Sequence, residues 1–166
     1  LLYKSLGSSF PTGSPSVYSL SSYSIADVVT GDLNGDGVPR EVAVDSGQGN
    51  ILKVFAVNNS GISGSILSLS PGAWPLGMDV GDLNGDQRND LIFSKYDGWV
   101  SGSFSGFGIA EGNSCSSAYP CEIAWGSVVD NFYAKSSDVQ TQAVAVADLD
   151  EDSRPDVATA NHEPQT

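Results

Sequence analysis

The sequence contains few of the residues on which many enzyme sites depend. Its 166 residues include one histidine, His162, and two cysteines, Cys115 and Cys121. A His-rich zinc site needs several such ligands, and a Cys–His nucleophile needs a free thiol beside a histidine. The sequence also has no Gly-x-Ser-x-Gly turn and no Gly-Lys-Ser/Thr phosphate loop. We therefore expect that the chain is not an enzyme, although composition alone leaves a pair of catalytic carboxylates open.

Positive charge and long apolar runs are equally scarce. The chain has 7 Lys and Arg against 20 Asp and Glu, which gives a formal net charge of −13. Phosphate binding needs clustered positive charge, so nucleic acid is excluded as a partner. No apolar run is long enough for a membrane span. Because position 1 is Leu1 rather than Met, we expect the sequence to be part of a longer chain.

The acidic residues are concentrated in three short segments that share one pattern. The segments begin at Asp32, Asp82 and Asp148 and contain eleven of the 20 acids. Oxygen-bearing side chains stand at positions 1, 3 and 5, and another acid follows at position 9 or 10. Ca²⁺ takes about six to eight oxygen ligands, which this spacing can supply. The pattern therefore predicts three calcium loops, and three bound ions would offset about half of the net charge.

Each loop is predicted to supply side-chain oxygens from positions 1, 3, 5 and 9 and a main-chain carbonyl from position 7. In loop one, position 9 is Arg40, and we interpret Glu41 as the acid displaced by a one-residue insertion. The predicted ligands are Asp32, Asn34, Asp36, the Val38 carbonyl and Glu41 in loop one; Asp82, Asn84, Asp86, the Arg88 carbonyl and Asp90 in loop two; and Asp148, Asp150, Asp152, the Arg154 carbonyl and Asp156 in loop three.

Two other interpretations of these loops exist. An EF-hand needs a glutamate at position 12 and a helix on either side, but position 12 is Ala43, Phe93 or Thr159. The flanking segments, such as 41–44 and 143–147, are short and contain β-branched residues, which favours strands. Ordinary Asn, Asp and Gly hairpin turns are the simpler alternative. Three copies that are each followed by an acid favour calcium loops between strands.

The loops and their flanking strands resemble the FG-GAP, or VCBS-type, repeat of integrin α-subunit propellers and of many secreted proteins. The resemblance is carried by residues 29–37, 79–86 and 145–152, although Gln87 and Ser153 stand where glycine is usual. It implies an all-β fold of β-propeller-like blades. Each blade would be a four-stranded antiparallel sheet in which a calcium-binding hairpin loop joins two strands.

The spacing of the loops predicts about three repeats of propeller-blade size. We expect outer strands of an incomplete blade in 1–24, repeat one in 25–73 with its loop at 32–41, repeat two in 74–141 with its loop at 82–90 and a Cys-containing insertion, and the start of repeat three in 142–166 with its loop at 148–156. Propellers close with about four to eight blades, so either the chain is a piece of a larger propeller or its units assemble between chains. An incomplete blade leaves strand edges unpaired, and a neighbouring copy could complete it, which predicts a head-to-tail oligomer or filament.

Three observations favour an extracellular, secreted or cell-surface location. Cys115 and Cys121 enclose five residues of a Gly/Ser-rich segment, which predicts a local disulfide. Asn58 begins an Asn-x-Ser glycosylation acceptor. Calcium loops of moderate affinity also suit a compartment in which calcium is abundant.

These inferences predict a calcium-stabilised structural or adhesive protein whose partners are further copies of itself, glycans or cell-surface proteins. A lectin is one alternative, because Trp74, Trp99 and Trp125 could line a sugar-binding cleft, although packing within and between blades is the favoured use of these aromatic residues. The non-catalytic propeller part of a secreted hydrolase is another alternative.

Overall fold

The structure is a computed structural model that describes residues 24–46, 50–58, 60–72, 74–96, 106–112, 128–132 and 140–162. These residues form ten β-strands and no helix, which confirms the predicted all-β class. The strands are β1 (Val28–Gly31), β2 (Glu41–Asp45), β3 (Leu52–Asn58), β4 (Gly61–Leu69), β5 (Met78–Gly81), β6 (Asp90–Lys95), β7 (Gly106–Ala110), β8 (Val128–Phe132), β9 (Gln140–Ala147) and β10 (Asp156–His162). Nowhere in the described ranges is there a helix that could cross a membrane.

The strands form three antiparallel sheets in chain order. The first sheet has the order β1-β2-β3-β4, the second has the order β5-β6-β7-β8, and the third contains β9 and β10. Each strand is hydrogen-bonded to the strand that follows it within its sheet, so all the described pairings are local hairpins. β9 begins at Gln140, two residues before the expected start of repeat three.

The second sheet lies between the other two. β1 contacts β5 on one side, and β9 contacts β5 and β6 on the other. Every residue of β6 is buried as a result, including the polar ones. The core lies between the first and second sheets, and its buried members are Leu33, Ala43, Leu52, Val54, Met78, Leu91, Phe93 and Ala110.

Neighbouring sheets approach closely because a glycine in one faces a valine in the next. A Cβ at Gly31, the last residue of β1, would lie 2.9 Å from Cγ1 of Val80 in β5. A Cβ at Gly81, the last residue of β5, would lie 2.6 Å from Cγ1 of Val146 in β9. Real Cβ atoms do not come so close to another carbon, so both positions require glycine at this sheet separation.

Two carboxylates link the sheets across the same contacts. Oδ2 of Asp27 accepts the backbone N–H of Met78 at 2.7 Å, and Oδ2 of Asp79 accepts that of Val146 at 2.7 Å. No described strand of one sheet is paired with a strand of another, so backbone hydrogen bonds do not connect the sheets. The two carboxylates make this connection: Asp27 joins the first sheet to the second, and Asp79 joins the second sheet to the third.

We predict that Gly81→Ala will lower the free energy of unfolding by about 1–3 kcal/mol, because the added methyl group overpacks the contact with Val146. Gly64→Ala in β4 is the control, since a Cβ there would meet nothing within 4 Å. Urea denaturation of both variants at one calcium concentration would measure the difference. Equal stabilities would contradict this account of how the sheets pack.

Candidate metal sites

All three predicted loops are hairpin connections between the first two strands of a sheet. Loop one joins β1 to β2, loop two joins β5 to β6, and loop three joins β9 to β10. The residue pairs that close them are Gly31 with Glu41, Gly81 with Asp90, and Ala147 with Asp156. Strands on both sides are incompatible with an EF-hand. Loop one is one residue longer than the others, and its closing acid occupies the same register position.

The same side chains hold the backbone of each loop in the same conformation. The position-1 carboxylate accepts the N–H groups of positions 5 and 6 at 2.7–3.1 Å. The position-3 oxygen accepts the N–H of position 5 at 2.9–3.1 Å. The position-5 carboxylate accepts the N–H of position 7 at 2.8–3.0 Å. These residues are Asp32, Asp82 and Asp148 at position 1, Asn34, Asn84 and Asp150 at position 3, and Asp36, Asp86 and Asp152 at position 5.

Positions 4 and 6 of every loop have backbone dihedrals in the left-handed region. At position 4 the φ values are 70° for Gly35, 76° for Gly85 and 62° for Glu151, and at position 6 they are 83° for Gly37, 67° for Gln87 and 71° for Ser153. Glycine adopts this region without steric cost, whereas other residues lose about 1–2 kcal/mol. Loop three therefore holds two strained residues, loop two holds one, and loop one holds none.

The closing acid of each loop accepts the backbone N–H of position 2. Oε2 of Glu41 accepts from Leu33 at 3.2 Å, and Oδ2 of Asp90 accepts from Leu83 at 2.9 Å. Oδ2 of Asp156 accepts in the same way from Leu149 at 3.0 Å. The longer glutamate side chain thus replaces aspartate in the longer loop.

Loop three brings three of its carboxylates close together. Oxygens of Asp148, Asp150 and Asp156, at positions 1, 3 and 9, all lie within 4.8 Å of one another. Loops one and two have Asn34 and Asn84 at position 3, which offer an amide oxygen instead. At position 7 of loop one, the Val38 carbonyl accepts the N–H of Arg40 at 2.8 Å.

Two of the three loop arginines form an ion pair within their own loop, which the sequence did not indicate. Arg40 forms a 2.6 Å ion pair with Asp36, and Arg88 forms a 3.1 Å ion pair with Asp86. A cation bound to these position-5 acids would compete with the arginine. Arg154 makes no ion pair with any described residue. It lines a cleft of about 680 Å³ between loops two and three.

Burial sets the protonation of the closing acid in loop one. The Glu41 side chain is 0% exposed, and this desolvation raises its pKa to about 7. The hydrogen bond from the Leu33 N–H acts in the opposite direction, while the negative charges of Asp36 and Asp32 raise the pKa further. Burial also raises the pKa of Asp90, against two backbone N–H groups that favour its ionised form.

Asp36, the position-5 acid of loop one, is ionised more readily than an ordinary aspartate. Burial disfavours the charged form of Asp36, but hydrogen bonds from the Arg40 guanidinium, the Val38 N–H and the Asn34 amide outweigh it. Together with the charge of Arg40, they hold the pKa of Asp36 below its ordinary value.

No protein-family model and no curated protein matches this chain. The geometry of the loops is therefore what indicates the kind of ligand they could bind. Every predicted side-chain ligand of the loops offers an oxygen, and each loop contains at least three acids, although among the described residues three carboxylates come within 4.8 Å of one another only in loop three. Such a donor set suits a hard divalent cation such as Ca²⁺.

The other predicted site residues lie away from the loops. Asn58 is exposed at the end of β3, where its Oδ1 accepts the N–H of Ser60. Trp74 is 39% exposed, and its ring centroid lies 5.9 Å from that of Tyr96, so it is not a core residue. Four residues singled out from the sequence lie outside the described ranges, namely Trp99, Cys115, Cys121 and Trp125.

We predict that Ser153→Gly will raise the free energy of unfolding by about 0.5–1 kcal/mol, because it removes left-handed strain while every backbone hydrogen bond is kept. Gly85→Ala is the converse control and should lower it by about 1 kcal/mol, since nothing within 4 Å obstructs the methyl group and only the dihedral penalises it. Chemical denaturation at saturating calcium measures both. A destabilising Ser153→Gly would show that the strain is not relieved by glycine.

We also predict that the metal-free protein will lose stability as the pH rises from about 4.5 to about 7. Folded Glu41 holds its proton over this range while the unfolded chain has lost it, so folding is favoured at the lower pH. Urea denaturation at pH 5 and pH 8 in a chelator tests this. Glu41→Gln should reduce the difference between the two pH values, and Glu111→Gln, at an exposed acid, should leave it unchanged.

Proposed function

We propose that this chain is an extracellular structural or adhesive protein whose β-repeats are stabilised by calcium. The observation that carries the proposal is the threefold recurrence of one loop geometry. Three hairpins have the same side-chain-to-backbone bonds, the same two left-handed positions and an acid at the same closing position. Hairpin turns that only reverse the chain have no need of a buried acid at the start of the next strand, such as Glu41 or Asp90.

Calcium would act on charge repulsion within each corner. In loop three it would be held by Asp148, Asp150, Asp152, Asp156 and the Arg154 carbonyl, and the equivalent residues would hold it in loops one and two. The ion supplies positive charge that offsets the mutual repulsion of these carboxylates and, in loops one and two, the desolvation of the buried closing acids Glu41 and Asp90. Because only the folded loop gathers the ligands, binding and folding are coupled.

The repeats belong, in this proposal, to propeller blades of the FG-GAP or VCBS type. Two complete four-stranded meanders support this, since each has its acidic loop between its first and second strands. The β9–β10 hairpin has the same loop in the same place. Stacking of the sheets face to face, with their first strands in contact, is the arrangement that neighbouring blades adopt.

An extracellular location follows from the metal. Exposed aspartate-rich loops of this kind fill where calcium is abundant. The paired spacing of Cys115 and Cys121 and the exposed glycosylation acceptor Asn58 agree with it. The acids of the loops are committed to cation binding, so they are not free for acid–base catalysis, which favours a non-enzymatic role.

Carbohydrate binding is the second candidate function. The pair formed by exposed Trp74 and half-buried Tyr96 favours it, because an aromatic face at the surface can pack against a sugar ring. This pair is a single contact on one unit, whereas the loop geometry recurs in three units. The calcium-stabilised structural role is therefore the better supported of the two.

We predict that chelation of calcium will lower the melting temperature by several degrees, since an ion at about 100 times its Kd adds about 2.7 kcal/mol of stability. Asp148→Asn should remove about one of the three bound ions in a calorimetric titration. Glu151→Gln is the matched control, because it removes one negative charge from the same loop without removing a ligand. A melt that is unchanged by chelation would contradict the proposal.

A further inference from the structure

One face of the β9–β10 hairpin consists of exposed alanines. Side chains alternate between the two faces of a strand, and Val144 and Val146 point toward the second sheet. The opposite side, which we call the alanine face, carries residues that are all exposed and that lie across from one another in register. Its members are Ala143, Ala145, Ala147, Ala158 and Ala160.

The opposite end of the stack has a second uncovered face. On the side of β1 and β2 that faces away from the core, Val28 is 56% exposed and Thr30 is exposed, and their cross-strand partners Val44 and Val42 are half-buried. Phe55, the partner of Val42 in β3, is only 2% exposed. Lys53 of β3, the partner of Val44, is half-buried, and Ser68 beyond it in β4 is exposed. We call the part of this side carried by Val28, Thr30, Val42 and Val44 the valine face.

Both faces match surfaces that are buried inside the molecule. Val28 and Thr30 lie four and two residues before their loop, as Met78 and Val80 do, and the latter two are packed against the first sheet. Ala147 stands one residue before its loop, at the position of the glycines that receive a valine from the next sheet. The alanine face thus corresponds to the side of a sheet that carries the glycine of an internal contact. The valine face corresponds to the side that carries the valine.

We propose that the alanine face of one copy of this chain docks on the valine face of a second copy and continues the stack of sheets from chain to chain. A second copy is the expected occupant because the two faces carry the residues that stand at the positions of the internal sheet contacts, so their docking continues the packing already present between the sheets. This deepens the structural role proposed above and rests on it.

The contact joins different surfaces on the two copies, so it generates a ring or an open filament rather than a closed pair of identical patches. It is also looser than the internal contacts. At Gly81 a Cβ would lie 2.6 Å from Val146. In the proposed contact, Ala147 stands where the internal contact has Gly81 and does carry a Cβ, while Thr30 of the second copy, which is as large as valine, stands where the internal contact has Val146. The second copy must therefore stand farther away, which makes the association weaker and dependent on concentration.

Sedimentation of the chain in saturating calcium, over a range of concentrations, tests the contact. The parent protein is expected to self-associate. Val28→Arg and Ala158→Arg should each weaken association by more than about tenfold, because each buries an unpaired charge in the contact. Ser60→Arg, at an exposed turn, is the matched control and should associate like the parent. Ala147→Gly should tighten association.

A mixture of Val28→Arg and Ala158→Arg supplies the decisive measurement. Each variant retains one intact face, so the mixture should form a 1:1 dimer that does not grow further. A parent protein that stays monomeric, variants that associate as the parent does, or a mixture that forms no dimer would overturn the proposal. A calcium titration of the same samples separates this outcome from failure of the proposed function, since lost assembly with three bound ions overturns the interface alone.

Discussion

The rest of the structure depends on one hydrogen bond that occurs three times, from the backbone N–H of loop position 2 to the carboxylate that begins the following strand. Glu41 and Asp90 accept it while almost entirely removed from solvent. In loop three, the acid fixed by this bond, Asp156, lies close to the position-1 and position-3 carboxylates. A folded loop therefore concentrates negative charge in a small volume, and a bound cation can relieve the repulsion. The same acids begin the second strand of each sheet, so the corners and the core are ordered together.

Much of the local structure could be predicted from the sequence. Alternating apolar residues on both sides of Asp32, Asp82 and Asp148 indicate strands, and the acids within each segment fix where the chain must turn. The displaced acid of loop one was also predictable. Glu41 lies one residue late but has one more methylene group, and the structure gives it the same partner that aspartate has elsewhere. These features depend on neighbours within about ten residues, which a sequence displays directly.

The contacts between sheets could not be predicted in the same way. Asp27 and Asp79 are ordinary acids in the sequence, and only the fold shows that each accepts an N–H more than fifty residues away. Gly31 and Gly81 could be assigned to turns, yet their function is to admit a valine from the next sheet. The arginines also look like breaks in an acidic pattern, although two of them pair with the position-5 acids. Such roles depend on distant residues whose position no local pattern specifies.

The three acidic loops lie at the same end of the stacked first strands, and together they contain eleven of the 20 acids of the chain. Negative charge is therefore concentrated at the loops. A divalent ion bound in one of the loops would cancel part of this charge. Calcium concentration would then set the orientation in which the protein approaches a charged surface as well as its rigidity.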